Sequence, residues 1–371
     1  MKTWACILIL AVLMSISGCG KKAYIETQRF ALLIGVDLDE ENNLVVYTTN
    51  PVFSKEAKVK YKITSATADS LRESRKKIDI KLNGNLAVGK IQNVIIGKKL
   101  LQQRNVFPYL DSAIRNAQIE VNAGLIMVDG SVKEMMYTNM NDKGRIGAVV
   151  KQMLDSTYNS RITVQTTLQE FHQQMMDKGT TPYISEMKAE KNDLVITGTA
   201  LLHKDGTYAA SLNNQESSLL LLLQQDTKNR IQLTFHLPQE TFDTDNQTSY
   251  VSFDIIHAKV KPVIKFQDNR FHMDVRMNIQ IDLTERLFTV DMEKNKEKME
   301  LAIQKLLKKQ CETLIRMTQK KEVDPFRFGV HVRADDYKNW KKVEDNWGKA
   351  FSEATVTVSP KVTIKSIGVS E

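Results

Sequence analysis

From Tyr250 to Leu283 the chain runs YVSFDIIHAKVKPVIKFQDNRFHMDVRMNIQIDL. Gln267-Asp268-Asn269-Arg270 is a turn between two long runs rich in β-branched and aromatic residues. In the second run Val275, Met277, Ile279 and Ile281 share one face, and Asp274, Arg276, Asn278 and Gln280 share the other. Alternation of this kind means one dry and one wet face, so the pair predicts a half-solvated antiparallel sheet. The period then changes. Over Glu293 to Lys321, the residues Met299, Ile303, Leu306, Leu307, Cys311, Leu314 and Ile315 form one stripe, which predicts a long helix lying against that sheet.

Working outward, Ile231 to His236 is a further strand. Leu194 to Leu202 and Thr207 to Leu212 form a hairpin around Asp205-Gly206. Gln215 to Gln225 reads as a helix carrying Leu219 to Leu223. Tyr337 to Phe351 reads as one helix with Trp340 and Trp347 on the same side, and Ala354 to Ile367 as a last strand. Towards the start, Phe30 to Asp37 and Asn43 to Thr49 are strands around an Asp39-Asn42 turn, and Val59 to Thr64 is a third. Gln92 to Ile96 and Ala123 to Val128 are short buried strands. Helices are expected at 67–81, capped by Thr67 or Ser65, and at 98–104, 108–116, 132–137, 145–155 and 166–177. No strict strand-helix-strand rhythm is present. The expectation is an α+β, multi-domain chain with mixed and antiparallel sheets, the N-terminal half being α+β or a mixed sheet covered on one face. An N-terminal domain would span 29–182 and a C-terminal region 183–371, the latter divisible near 245 into two lobes.

Composition narrows the class. The 371 residues are 42% apolar and 26% charged, enough for ordinary cores and unlike a disordered chain. Three cysteines cannot build a disulfide framework or a zinc ribbon. The net charge of +8 comes without basic blocks interleaved with aromatics, so nucleic acid is not an expected partner.

The first residues bear on location. Lys2 precedes an apolar run from Trp4 to Met14, too short for a hydrocarbon core that needs about 20 residues. It has the form of a secretory signal. Ile16-Ser17-Gly18-Cys19 resembles a bacterial lipobox, in which the Cys thiol is joined to diacylglycerol and the chain is cut before it. Residues 1–18 would then be a signal peptide that takes Cys6 with it, Cys19 the lipidation site, and 19–28 a tether. Two or more acyl chains hold a protein stably on a membrane. Lys21 and Lys22 would add about 1 kcal/mol each towards anionic headgroups.

No catalytic centre is evident. Asp37-x-Asp39-x-Glu41 copies the start of a calcium loop, but Asn42 stands where the loop takes Gly and Thr48 where it takes Glu, so a hydrated turn accounts for it better. His172, His203, His236, His257, His272 and His331 form no HExxH or HxH pair. Cys311 sits on the apolar stripe, as a buried small residue would. Trp340 and Trp347 suit packing onto the long helix; a partner or headgroup contact is the functional alternative. The residues alone read as an extracytoplasmic lipoprotein with no evident catalytic centre and no expected metal or cofactor.

Several segments, in order, resemble the Ger(x)C family of spore germination lipoproteins, the C subunits of nutrient germinant receptors. They are the lipobox at Cys19, Gly35-Val36-Asp37, Asn93-Val94-Ile95-Ile96-Gly97 before a Lys-rich helix start, and Arg115. Gly198 to Leu202 through Leu212 to Ser217 follow, then Asp324-Pro325-Phe326-Arg327-Phe328-Gly329, Trp340, Trp347 and a β-rich tail to Gly368. Departures are Gly20 to Tyr24 after the lipid Cys, Lys90 where the family has His, and Leu201 or Leu202 where it has Phe. The resemblance implies a non-enzymatic receptor subunit on the outer face of the inner spore membrane. It would dock on a multi-pass A subunit and a transporter-like B subunit and be needed for germination in response to small nutrients. A solute-binding lipoprotein of a transporter is the rival reading; it predicts two lobes with parallel sheets around a cleft.

Overall fold

The structure is a computed structural model and describes residues 28–367 apart from 54–55, 57–59, 83, 116–118, 139–144, 192, 227–228, 239–240 and 243–248. The signal segment, Cys19, Lys21, Lys22 and Gly368 lie outside the described residues.

The strands are β1 (Gln28–Phe30), β2 (Leu33–Leu38), β3 (Leu44–Pro51), β4 (Tyr61–Thr67), β5 (Asn85–Ala87), β6 (Asn93–Gly97), β7 (Gly124–Val128), β8 (Tyr183–Glu190), β9 (Asp193–Leu202), β10 (Tyr208–Leu212), β11 (Ile231–His236), β12 (Tyr250–Gln267), β13 (Arg270–Arg286) and β14 (Thr355–Ser366). The helices are α1 (Leu71–Lys81), α2 (Lys98–Gln103), α3 (Phe107–Ile114), α4 (Val132–Tyr137), α5 (Ile146–Asn159), α6 (Leu168–Met176), α7 (Asn214–Leu223), α8 (Met292–Lys320), α9 (Phe328–Asp335), α10 (Tyr337–Trp340) and α11 (Trp347–Ser352). The expected α+β class with mixed and antiparallel sheets is what forms.

Among the described residues the larger sheet has eight strands in the order β10-β9-β8-β7-β6-β2-β3-β4. Its centre, β8-β7-β6-β2, is parallel, and both edges are antiparallel hairpins. Parallel neighbours need crossovers: α1 lies on the way from β2 to β6, α2 and α3 from β6 to β7, and α4 to α6 from β7 to β8. The sheet is continuous across position 183: β8 is hydrogen-bonded to β7, and pairing runs on to Leu212. One expectation is corrected here, since the sheet is not covered on one face alone. Val36, Val94 and Ile96 pack in one core with Ile78, Leu110 and Phe171, whereas Leu33, Ile95 and Ile126 pack in another with Val132, Val150 and Leu154. A central parallel strand buried on both sides reads as a continuous apolar run, as NVIIG and GLIMV do.

The second sheet is β11-β12-β13-β14. Asp268 and Asn269 both have positive φ (50° and 59°), the conformation that a two-residue hairpin turn demands. Valines, methionines and isoleucines of β13 face inward onto Met299, Ile303, Leu307, Cys311 and Leu314 of α8. A register shift between Ile255 and His257 exchanges the faces of β12: Val251, Phe253 and Ile255 are buried before it, Ala258 and Val260 after it. One extra residue keeps the apolar side inward along the 18 residues of the strand. The last strand, β14, pairs parallel to β13 after the chain has crossed the sheet through α8 to α11.

The helix expected over Tyr337 to Phe351 is broken into α10, a 3₁₀ turn at Glu344–Asn346 and α11. Asp336 caps the first piece, accepting from the Asn339 N–H. Helix α1 starts later than expected, because Ser70 caps it by accepting from the Glu73 N–H. Helix α9 was not expected.

Candidate functional site

The segments that carry the resemblance are joints between elements. At the end of β2, Asp37 is buried and spends both carboxylate oxygens on backbone: Oδ1 accepts from the Leu38 N–H (2.8 Å) and Oδ2 from the Val132 N–H (2.9 Å) at the start of α4. Burial holds its pKa above the ordinary carboxylate value, against those two hydrogen bonds. A Cβ at Gly97, on the neighbouring strand, would stand 2.0 Å from the same carboxylate, so only glycine fits. Asp37 therefore pins a helix; it does not open a calcium loop. Asp39 accepts from the Asn43 N–H as a turn residue.

The second joint is the start of α7. Asn213 and Glu216 form a capping box, each accepting the other's backbone N–H at 2.9 Å. Leu219 to Leu223 behind it are all buried, as a core run should be.

The third joint, Asp324 to Gly329, ties the two sheets together. Asp324 is buried, and its Oδ2 accepts from the Gly329 N–H (2.9 Å) and Trp347 Nε1 (2.8 Å). Burial pushes its carboxyl up to about 6 despite these donors. Its backbone carbonyl accepts from the Thr181 N–H (2.9 Å), just before β8. Phe326 and Phe328 are buried and Arg327 between them is exposed, with φ 68°. A Cβ at Gly329 would meet Trp347 Nε1 at 2.6 Å and the Cα of Gly179 at 2.8 Å. Trp340 and Trp347 are both buried, with ring centroids 5.4 Å apart, and Trp347 meets Phe271 of β13 edge-on at 5.8 Å. They pack as the bland reading expected, although no single helix carries both.

Around this joint lies a polar cleft of about 670 Å³ between α5, α6, α7 and α9. Arg333 makes a two-pronged pair with Asp177 (3.0 and 3.2 Å) across it. Buried Arg161 meets Asp226 at 3.1 Å. Tyr183 is pushed up to about 12 by burial. Lys204, lowered to about 8 by burial, caps the carbonyls of Gln174, Asp177 and Thr180 beyond the end of α6. Arg333 with Asp177 and Arg161 with Asp226 are spent on each other, and Lys204 on a helix end, while Arg161 Nε and Asp226 Oδ1 stay buried without a partner among the described residues.

A different cavity, of about 630 Å³, lies under the larger sheet. Its walls are Val36, Val46, Val94 and Ile96 from the strands and Ile78 and Leu110 from the helices opposite. Arg72, Lys76 and Arg115, all exposed, mark its mouth. Arg115, one of the residues carrying the resemblance, is paired with Asp111 at 2.7 Å. The sequence reading missed this cavity, since its walls come from five segments whose apolar residues look like ordinary core.

The remaining singled-out residues do not assemble. His172 lies 3.5 Å from Asp111, His236 stacks edge-on with Tyr250, and His331 is lowered by burial. Cys311 is buried, and desolvation pushes its thiol up to about 12. Among the described residues no three His, Cys, Asp or Glu side chains group as metal ligands, and no helix is long and apolar enough to cross a membrane.

Comparison with known proteins places both parts of the chain. Residues 21–189 match the family model of the spore germination protein N-terminal domain. Residues 197–368 match that of the spore germination B3/GerAC-like C-terminal domain. The chain is 23% identical to spore germination protein GerQC of Bacillus cereus over 379 residues, covering 100% of both. It is 22% identical to spore germination protein KC of Bacillus subtilis (strain 168), covering 97% of this chain and 96% of that one. The crystal structure of the GerBC protein superposes with a TM-score of 0.56 at 15% identity, over 90% of this chain and 96% of the other, so the fold is shared.

Proposed function

The chain belongs to the Ger(x)C family of spore germination proteins, and on that premise we propose that it is the lipid-anchored C subunit of a nutrient germinant receptor. It is joined through Cys19 to diacylglycerol and held on the outer face of the inner spore membrane. There it docks on a multi-pass A subunit and a transporter-like B subunit. The observation that carries this reading is the lipobox Ile16 to Cys19, placed directly before residue 21, where the first family domain begins.

The physical role is contact energy and not catalysis. The conspicuous acids, Asp37 and Asp324, are consumed in holding backbone and indole N–H groups, and the one described thiol is buried in a core. A subunit of this kind acts by binding one conformation of its membrane partners better than the other, which shifts their equilibrium by the difference in contact energy. A single mixed sheet beside a mainly antiparallel one also differs from the two parallel-sheet lobes of the solute-binding alternative.

The test is Cys19→Ala in the full chain, expressed in sporulating cells. The variant should leave the membrane fraction, and nutrient-triggered germination should be lost. A strain that germinates normally with that change would reject the tether.

A further inference from the structure

We propose that the cavity under the larger sheet is a binding site for a long acyl chain with an anionic head. A cleft of about 630 Å³ opens beneath the larger sheet. Its size falls within the range of about 300 to 1,000 Å³ typical of ligand sites. Its floor is aliphatic: Val36, Val46, Val94 and Ile96 on the strands face Ile78 and Leu110 on the helices. The polar groups of the lining are occupied within the fold: Thr48 donates to the Thr64 carbonyl, Ser74 to that of Leu71 and half-buried Arg75 to that of Leu86. The exposed charge at the mouth is mostly positive. Arg72 and Lys76 lie one turn apart on the exposed face of α1, and Arg115 closes the far side. Asp79 is occupied in accepting from the Leu86 N–H at 2.8 Å, and Asp111 is paired with Arg115 at 2.7 Å, so Arg72 and Lys76 supply the rim's positive charge. Apolar depth and a cationic rim match an amphiphile with an anionic head, and they suit a free amino acid or sugar poorly.

The course of the chain brings such a ligand within reach. Strand β1 pairs in parallel with β5, Arg29 opposite Leu86, and Leu86 lines the cavity. Cys19 lies nine residues before Gln28, a span of at most about 30 Å when extended. The inference thus leans on the proposed lipidation for the nearness of a bilayer, while the cavity stands independently of it. The acyl chain has two sources, a free membrane phospholipid or the lipid on Cys19 itself.

The experiment uses the full chain and its Cys19→Ala form, both purified in detergent, with palmitate carrying a nitroxide on its tail as probe. The Cys19→Ala protein should immobilise the nitroxide. Val94→Phe, which fills the cavity, should abolish this. Arg72→Glu with Lys76→Glu, both at exposed positions, should weaken palmitate about tenfold yet leave its uncharged methyl ester unchanged. If the lipidated chain fails to take the probe while Cys19→Ala takes it, the resident is the protein's own lipid; if both take it, the source is a free lipid. Mass measurement of the purified chain separates the two ideas: an unlipidated Cys19 with a probe still bound overturns the anchor and leaves the cavity assignment standing. Failure of Cys19→Ala to bind, equal binding by Val94→Phe, or displacement of the probe by alanine or glucose would overturn the acyl site.

Discussion

Ile303 on α8 and Ile96 on β6 are equally buried, but they face different surroundings. Ile303 sits in the core between α8 and the four-stranded sheet, with Met299, Leu307 and the inward residues of β13 in the same cluster. Ile96 also touches core on one side, but it lines a 630 Å³ space on the other. Among the described residues the two isoleucines thus mark different interiors, a closed core in the C-terminal half and a cavity wall in the N-terminal half.

The sharpest way to break the comparison is to delete the same atoms in both places. Ile303→Ala opens a cavity that dense neighbours cannot fill, and should cost about 4 kcal/mol. Ile96→Ala removes the same atoms from the wall of an existing cavity, and should cost about 2 kcal/mol. Chemical denaturation of the full chain measures both. Equal losses would mean that the two cores are equally tight.

Asp324 probes the joint between the halves. Asp324→Ala leaves the Gly329 N–H and the Trp347 indole N–H buried without an acceptor, at a cost of about 3 kcal/mol. The same group sets a pH dependence. Its folded pKa of about 6 lies above its ordinary value, so the native state holds the proton more tightly than the unfolded chain does. Stability from this group is full below the unfolded pKa and is lost as pH rises through about 6. The loss should be about 2 kcal/mol between about pH 4 and about pH 7, read as the difference between wild type and Asp324→Asn. A difference that stays flat with pH would show that the burial of Asp324 does not govern its titration.

The sequence made much of the closed half legible. Strand alternation over 271–283 and the stripe on α8 are local signals, and both elements formed where expected. Non-local relations were hidden. Residue 183 looked like a boundary because a Pro and a hairpin follow a helix end, yet β8 finds its partner 59 residues earlier, in β7. Trp340 and Trp347 kept the spacing of a helix face, but the chain breaks between them so that the indole of Trp347 reaches Asp324. The acyl cavity left no mark at all, since a wall and a core use the same valines and isoleucines.

The smallest expected effect tests whether the two halves behave as one cooperative unit. The Arg333–Asp177 pair spans them with two hydrogen bonds, but both side chains are partly exposed, at 39% and 28%. Screening limits such a pair to about 1 kcal/mol, so Arg333→Ala should barely move the overall midpoint. Its value lies in how the transition divides. Of the chain's three tryptophans, only Trp340 and Trp347 lie in the described structure, and both sit in the C-terminal half, so indole fluorescence follows that half while far-ultraviolet circular dichroism follows both. In the wild type the Asp324 joint and this pair together should keep the two signals coincident. With Arg333→Ala the circular dichroism should begin to fall at lower denaturant than the fluorescence, because the half that contains the cavity has less packing to lose and opens first. If the two signals still coincide, the joint at Asp324 alone makes the halves one unit. If fluorescence falls first, the assignment of the tighter core to the C-terminal half is wrong.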